Sequence, residues 1–168
     1  MIVIYARSHF RQGRFRATDK GKIEELFREY GDDVFRLAMS YLRCVPDAED
    51  VCQSEFLTLA EGRVSLFPGK EKSWLLRCTA NACRDMLRKR KQSEPLQQDI
   101  GFVRPEDQGL WDALARLPGK YRAALHLYYY EGYDQGEIAG ILGISRTAVQ
   151  TRMSRARALL KKELNKYD

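Results

Sequence analysis

Between Tyr133 and Leu160 two helical periods meet at a single glycine, and that junction constrains the fold more than any other stretch. Ile138, Ile141 and Leu142 recur at helical spacing and predict one apolar face on a helix over 133–142. Ala139 is small enough for a second helix to come close. Gly143 stands where the first helix must stop, and glycine enters a left-handed cap without a Cβ penalty. Ser145 suits an N-cap, because its hydroxyl can accept an orphan backbone N–H. Val149, Met153, Ala156 and Leu160 then share one face, leaving Arg146, Gln150, Arg152, Arg155 and Arg157 to reach outward. This pattern predicts a helix-turn-helix whose basic second helix lies in a DNA major groove. A plain hairpin with a solvated basic face is the competing reading; the turn, the cap and the charge bias together favour DNA.

Charge along the chain refines that expectation. The net charge is +6 over 168 residues, but it is unevenly spread. Residues 62–91 hold nine Lys/Arg against two Asp/Glu, and residues 144–168 hold seven against two. Residues 22–61 hold four Lys/Arg against ten Asp/Glu. Two basic blocks separated by acidic ones suit two DNA contacts plus an acidic protein-docking surface better than one continuous nucleic-acid groove. The composition, 44% hydrophobic and 31% charged, is that of a globular protein of one ordinary domain or two small ones. No run approaches the roughly 18–20 apolar residues of a membrane span, so no membrane insertion is expected. The apolar start Met1–Ala6 lacks a preceding basic region, which argues against a signal peptide and for a cytoplasmic location.

Cys44, Cys52, Cys78 and Cys83 contain no C-x-x-C pair and have no histidine beside them, so buried free thiols are expected rather than a metal site. His9 and His126 are isolated and read as structural. No nucleophile–base set, phosphate-binding glycine loop or cofactor motif stands out. Neither a catalytic residue nor a cofactor is expected.

The periodicity is helical almost throughout, which predicts an all-α chain of two small domains joined by a flexible linker. Residues 1–21 form a basic arm to which no role is assigned. A helix over 22–42 carries Ile23, Leu26, Phe27, Tyr30, Val34, Leu37, Ala38 and Tyr41 on its apolar side, with a break expected at Gly31. Pro46 and the carboxylates Asp47, Glu49 and Asp50 open a second helix that continues to about Ala60. Leu66-Phe67-Pro68-Gly69 reads as a turn, and a third helix spans 72–91, with Trp74, Leu75, Cys78, Ala82 and Leu87 inward. These make a first domain over 22–91. Residues 92–107 contain two prolines and a glycine without a clear period, which is linker composition. A second domain over 108–168 breaks at Pro118-Gly119 and ends in the helix-turn-helix.

The third helix is a second candidate DNA surface. Trp74, Arg77 and Asn81 precede Arg84, Arg88, Lys89, Arg90 and Lys91. An aromatic ring, an amide and a dense cationic run suit partly unstacked strands, where rings stack on bases and cations hold phosphates. A core tryptophan beside a solvated basic helix end fits equally well when this block is taken alone.

Three collinear segments carry a family resemblance. Asp47-Ala48-Glu49-Asp50-Val51-Cys52-Gln53-Ser54-Glu55-Phe56 resembles the acidic helix of bacterial sigma factors of the extracytoplasmic-function type. Lys72–Arg88 resembles their promoter-melting and minus-ten segment, and Leu114–Arg157 resembles their minus-thirty-five domain. The resemblance covers residues 22–164 in order. Three places depart from it: Thr147-Ala148-Val149-Gln150 replaces a common Gly-Thr-Val-Lys, Glu55 replaces an apolar residue, and Ala60 replaces a common large residue.

The resemblance implies a protein without covalent chemistry that brings core RNA polymerase to promoter DNA. It implies that Asp47, Asp50, Gln53 and Phe56 meet the polymerase, with Phe56 as a pure core residue the alternative. Lys70, Lys72, Arg77, Asn81, Arg84, Arg88 and Lys89 would hold the melted minus-ten strand, with Asn81 as a packed amide the alternative. Ser145, Arg146, Thr147, Gln150, Thr151, Ser154 and Arg155 would read the minus-thirty-five duplex. An anti-sigma factor wedged between the domains is a further partner that such a family admits. The runner-up is a stand-alone helix-turn-helix regulator of duplex operators, whose N-terminal half dimerises or senses a signal. A decoy that occupies polymerase without productive initiation ranks below it.

Overall fold

A computed structural model of the chain describes residues 15–16, 20–62, 64–90 and 108–165. The linker expected over 92–107 and nearly all of the basic arm lie outside the described residues. Seven α-helices are described: α1 (Lys20–Leu42), α2 (Val45–Ala60), α3 (Glu71–Arg90), α4 (Gln108–Arg116), α5 (Gly119–Leu125), α6 (Gln135–Leu142) and α7 (Arg146–Leu164). A single π-type turn, His126–Tyr130, extends α5. The described strand structure is one two-residue antiparallel pair, β1 (Phe15–Arg16) against β2 (Ser65–Leu66).

Helix α1 runs through Gly31 without the expected break. A glycine inside a helix costs about 1 kcal/mol relative to alanine. Here Leu26, Val34, Leu37, Ala38, Tyr41 and Leu42 are all buried on both sides of that glycine. Each buried aliphatic side chain contributes about 1.5–3 kcal/mol, so packing against α2 and α3 outweighs the local penalty. The helix ends instead at Arg43, which is left-handed at φ 53°. A non-glycine residue there costs roughly 1–2 kcal/mol and needs a compensating tertiary contact. That contact is the Arg43 guanidinium, whose Nη1 donates to the Ala115 carbonyl at 2.6 Å.

Helix α2 opens with proline in its first turn, as expected, and buries Ala48, Val51, Cys52, Phe56 and Leu59. One cluster (Leu26, Val34, Cys52, Phe56, Leu59, Leu66 and Leu75) belongs to the first half alone. The larger cluster draws on both halves. Leu37, Ala38, Tyr41, Leu42, Leu76, Ala80 and Cys83 pack in one continuous core with Leu117, Tyr121, Leu125, Leu142, Val149 and Met153. The two helical halves therefore meet across a shared core. Each half alone would bury little apolar surface, and sharing a core enlarges what both remove from water.

Glu55 is the polar exception between α2 and α3. Burial pushes its carboxyl up to about 7, against the opposing hydrogen bond with Cys78, whose thiol burial also pushes upward. The fold thus favours the protonated form. The parent's stability falls as pH rises from the ordinary value of 4.5 through about 7. Glu55→Gln is expected to be more stable than the parent at pH 8, with the advantage shrinking below about pH 5. Thermal melts across that range check this, and a constant difference would contradict it.

Candidate nucleic-acid interface

The helix-turn-helix forms with the predicted local geometry. Asp134 caps α6 by accepting from the backbone N–H groups of Gly136 and Glu137, while Glu137 accepts from the Asp134 N–H at 2.9 Å. This reciprocal box is legible in the sequence as Asp-x-x-Glu and was not part of the expectation. Gly143 ends α6 in the left-handed region at φ 63°. Ser145 caps α7, its Oγ accepting from the Ala148 N–H at 3.1 Å. Ile138, Ile141, Leu142, Val149, Met153 and Ala156 are buried, which fixes the crossing of the two helices.

That packing decides which side chains face outward. Ser145, Arg146, Thr147, Gln150, Thr151, Ser154 and Arg155 are all exposed. The Thr151 hydroxyl donates to the Thr147 carbonyl at 3.0 Å, so it has acceptor capacity left for a ligand. An open cleft of about 430 Å³ lies between α5 and α7, lined by Lys120, Tyr121, Ser145, Thr147, Thr151 and Arg155 among others. Arg152 does not reach outward as expected. It is half-buried, with a side-chain nitrogen inside the protein, because it falls on the flank that packs toward the rest of the chain. Arg157 is engaged too: its Nε donates to the Tyr129 hydroxyl at 3.1 Å, and its guanidinium lies over Tyr128 and Tyr129.

The second basic surface splits in two. Lys70, Arg77, Arg88 and Lys89 are exposed, and Arg88 pairs with Asp85 at 3.2 Å. Lys72 and Arg84 instead reach the other half of the molecule, and Asn81 is held by Arg84. Lys72 bridges Asp33 at 3.0 Å and Glu131 at 2.8 Å. Burial disfavours its charge, but the two carboxylates outweigh burial and raise its pKa. Glu131 also meets His126 Nε2 at 3.3 Å, and its side chain is only 3% exposed. Burial alone would raise that carboxyl; His126 and Lys72 hold it below the usual range. Arg84 donates to the Ala80 carbonyl, to Asn81 Oδ1 and, across the seam, to the Leu142 carbonyl at 3.0 Å.

On α2 the four candidate residues also separate. Asp50 and Gln53 are exposed, and Leu57 on the same face is 61% exposed. Phe56 is buried and meets the Phe27 ring edge-on, as its core alternative has it. Asp47 is held by Arg90 at 2.5 Å. Burial opposes its ionisation, but Cys44 and Arg90 together keep its carboxyl below the ordinary range.

The residues with the most extensive cross-seam bonding were not foreseen. Arg122 Nε donates to the Ser40 carbonyl at 2.7 Å, and Nη2 donates to the Tyr41 carbonyl at 2.8 Å. Its Nη1 reaches the Leu117 and Ala115 carbonyls. Burial, and after it the nearby Arg43 charge, push its pKa down to about 10. Ser40 and Tyr41 lie about 80 positions away in the chain, so no local pattern points to them.

Both halves match known family models. Sigma-70 region 2 matches residues 26–93, and sigma-70 region 4 matches residues 107–160. The chain is 33% identical to the ECF RNA polymerase sigma factor SigM of Mycobacterium tuberculosis, over 86% of this chain and 78% of that protein. It is 30% identical to the RNA polymerase sigma factor SigV of Bacillus subtilis, over 90% of this chain and 96% of that protein. The chain belongs to the ECF RNA polymerase sigma factors. Against SigE of Mycolicibacterium smegmatis the identity is 33%, over 86% of this chain, which spans 62% of the length of that relative.

Solved sigma factors share the fold. CnrH, in complex with the cytosolic domain of CnrY, aligns with a TM-score of 0.67 at 26% identity, covering 91% of this chain and 94% of that one. RpoE of Bartonella quintana, in complex with the anti-sigma factor NepR, aligns with a TM-score of 0.68 at 21% identity, covering 86% of this chain and 97% of that one. The sigma-factor match to the first half disfavours the stand-alone regulator, for which that half was only a structural module. None of the described helices is long and apolar enough to cross a membrane.

The left-handed turn gives a direct check on the sigma factor's recognition element. Gly143→Val is expected to lose about 1–2 kcal/mol of stability, and Gly143→Asn less, because asparagine tolerates that conformation better. Denaturant melts that rank valine level with the parent would contradict the observed cap.

Proposed function

We propose that this sigma factor carries core RNA polymerase to promoters through three surfaces, and contributes no covalent chemistry of its own. The observation that carries the reading is the single exposed stripe on α7. Arg146, Gln150, Ser154, Thr147, Thr151 and Arg155 spread over the exposed half of a helix whose other side, Val149, Met153 and Ala156, is buried. Arginine and glutamine can bond base edges bidentately, while Ser145, Thr147, Thr151 and Ser154 reach phosphates or sugars. This face reads the minus-thirty-five duplex.

The exposed face of α2 docks the polymerase. Asp50 and Gln53 meet arginine-rich helices through charge-assisted hydrogen bonds. Asp47 supports that face by pinning Arg90, and Phe56 supports it from the core. Lys70, Arg77, Arg88 and Lys89 hold the backbone of the melted minus-ten strand, and Lys72, Asn81 and Arg84 join them once the halves separate. An extruded base costs a few kcal/mol of lost stacking, which such contacts must offset. The chain acts in the cytoplasm, where polymerase and promoter are. By analogy with RpoE, it takes an anti-sigma protein as a further partner.

Two sets of variants test the assignments. Asp50→Arg and Gln53→Ala are expected to weaken binding to core polymerase while leaving helical content intact. Unchanged affinity in both would remove α2 from the docking surface. Arg146→Ala should cost about 1–3 kcal/mol on the preferred duplex and relax discrimination at one base position. An equal loss on every sequence, measured by titration at fixed salt, would make Arg146 a phosphate contact only.

A further inference from the structure

The turn that leads into α3 is held at both ends, and one of its holders comes from the basic arm. Phe67-Pro68-Gly69-Lys70 is a β-turn: the Lys70 N–H donates to the Phe67 carbonyl at 3.0 Å, and Gly69 is left-handed at φ 76°. Proline followed by glycine at positive φ is the type II pattern. The exit is fixed by α3, where the Trp74 N–H and the Ser73 hydroxyl both donate to the Lys70 carbonyl. The entry is β2. There Leu66 is buried with Leu26, Phe56 and Leu75, and the backbone pairs with β1, Phe15 against Leu66 and Arg16 against Ser65. Pro68, Gly69 and Lys70 are exposed at the apex, and Arg77 is exposed two helical turns further on. Strand β1 lies ahead of the segment that sigma-70 region 2 matches, which starts at residue 26.

We propose that β1 is a positioning element of the minus-ten site: by pairing with β2 it sets the entry of the turn, so that melted DNA meets Lys70 on a preformed loop. The proposal rests on the minus-ten assignment made under the proposed function. Without β1, residues 65–66 keep one anchor, the Leu66 side chain, and the main chain can turn about it. Ladder hydrogen bonds run perpendicular to the strand and add a second direction of restraint. Fixing the backbone of one residue is worth about a factor of ten in an equilibrium. Ordering done before DNA arrives is not charged against binding. A rigid loop also favours the strand that fits it, whereas a loose one adapts to many.

The pair governs the loop rather than the fold. A ladder of two residues is marginal in water, so it adds little to the stability of the whole chain. Leu66 stays against the core with or without it. The arm brings charge as well. Arg14 and Arg11 precede β1 by one and four positions, so covalent reach keeps them within about 14 Å of the pair. Their attraction for phosphates is the same for every sequence, and the fit of the loop is not. That difference separates the two contributions.

The test uses holoenzyme assembled from the full-length chain and bacterial core polymerase. Labelled single-stranded oligonucleotides of random sequence are selected on it. Sequences enriched over core polymerase alone supply the specific probe, and the unselected pool is the non-specific one. The readout is the ratio of the two affinities. Phe15→Pro combined with Arg16→Pro removes both main-chain donors of β1. These substitutions are expected to lower the ratio about tenfold. Binding to core should be unchanged, and the melting temperature should stay within about 4 °C of the parent. Should they cost the chain its helical circular dichroism, deletion of residues 1–16 replaces them. Lost arm charge lowers both affinities together, so the ratio still reports the loop.

An unchanged ratio makes β1 a structural strand only and overturns the proposal. Lys70→Ala and Arg77→Ala separate the two claims. If they weaken the specific probe while loss of β1 leaves the ratio alone, the minus-ten assignment stands and the arm has no part in it. If neither changes the affinity for the specific probe, the minus-ten assignment fails and takes the role of β1 with it.

Discussion

The guanidinium of Arg122 is the contact on which the arrangement of the molecule depends. It is largely buried, and it is held by main-chain carbonyls at the end of α1 and at the turn between α4 and α5. Desolvating a charge is costly unless its donors are used. Hydrogen bonds from a charged donor contribute about 1.5–3 kcal/mol each, and several converge here. The bonds fix where α1 stops, where α5 starts and how Gly119 meets Tyr41. The shared core follows from that placement, because Leu117, Tyr121 and Leu125 then lie against Leu37, Tyr41 and Leu42.

From the same placement comes the division of labour on the surface. Helix α7 lays its apolar stripe against α5 and α6, leaving Arg146, Gln150, Ser154 and Arg155 exposed. On α2, burial of Val51, Cys52, Phe56 and Leu59 directs Asp50 and Gln53 outward. Helix α3 is different, since its middle serves the seam while its basic end stays exposed.

Legibility in the sequence followed the range of the interaction. The turn of the helix-turn-helix was readable to the residue, because Gly143, Ser145 and the Val149–Met153–Ala156 stripe act within one or two turns; the start of α6, capped by Asp134, was placed two residues early. The acidic opening of α2 was readable for the same reason. The break expected at Gly31 failed because a local propensity was weighed without the packing on either side of it. Arg152 failed because helical spacing gives its position around α7 but not how far the neighbouring helices wrap around that face. Arg43, Arg122 and Glu131 left no trace in the sequence. Their partners are main-chain carbonyls or distant side chains, which leave no pattern in residue identity.

The central claim is that this sigma factor turns core polymerase into a promoter-specific enzyme. The direct measurement is transcription by purified chain, bacterial core polymerase and fragmented genomic DNA, followed by sequencing of the transcripts. Start sites that share two spaced upstream elements, and vanish when the chain is omitted, are the result expected. Tight DNA binding by the chain alone with no defined starts, or core binding that yields no transcript, would contradict it.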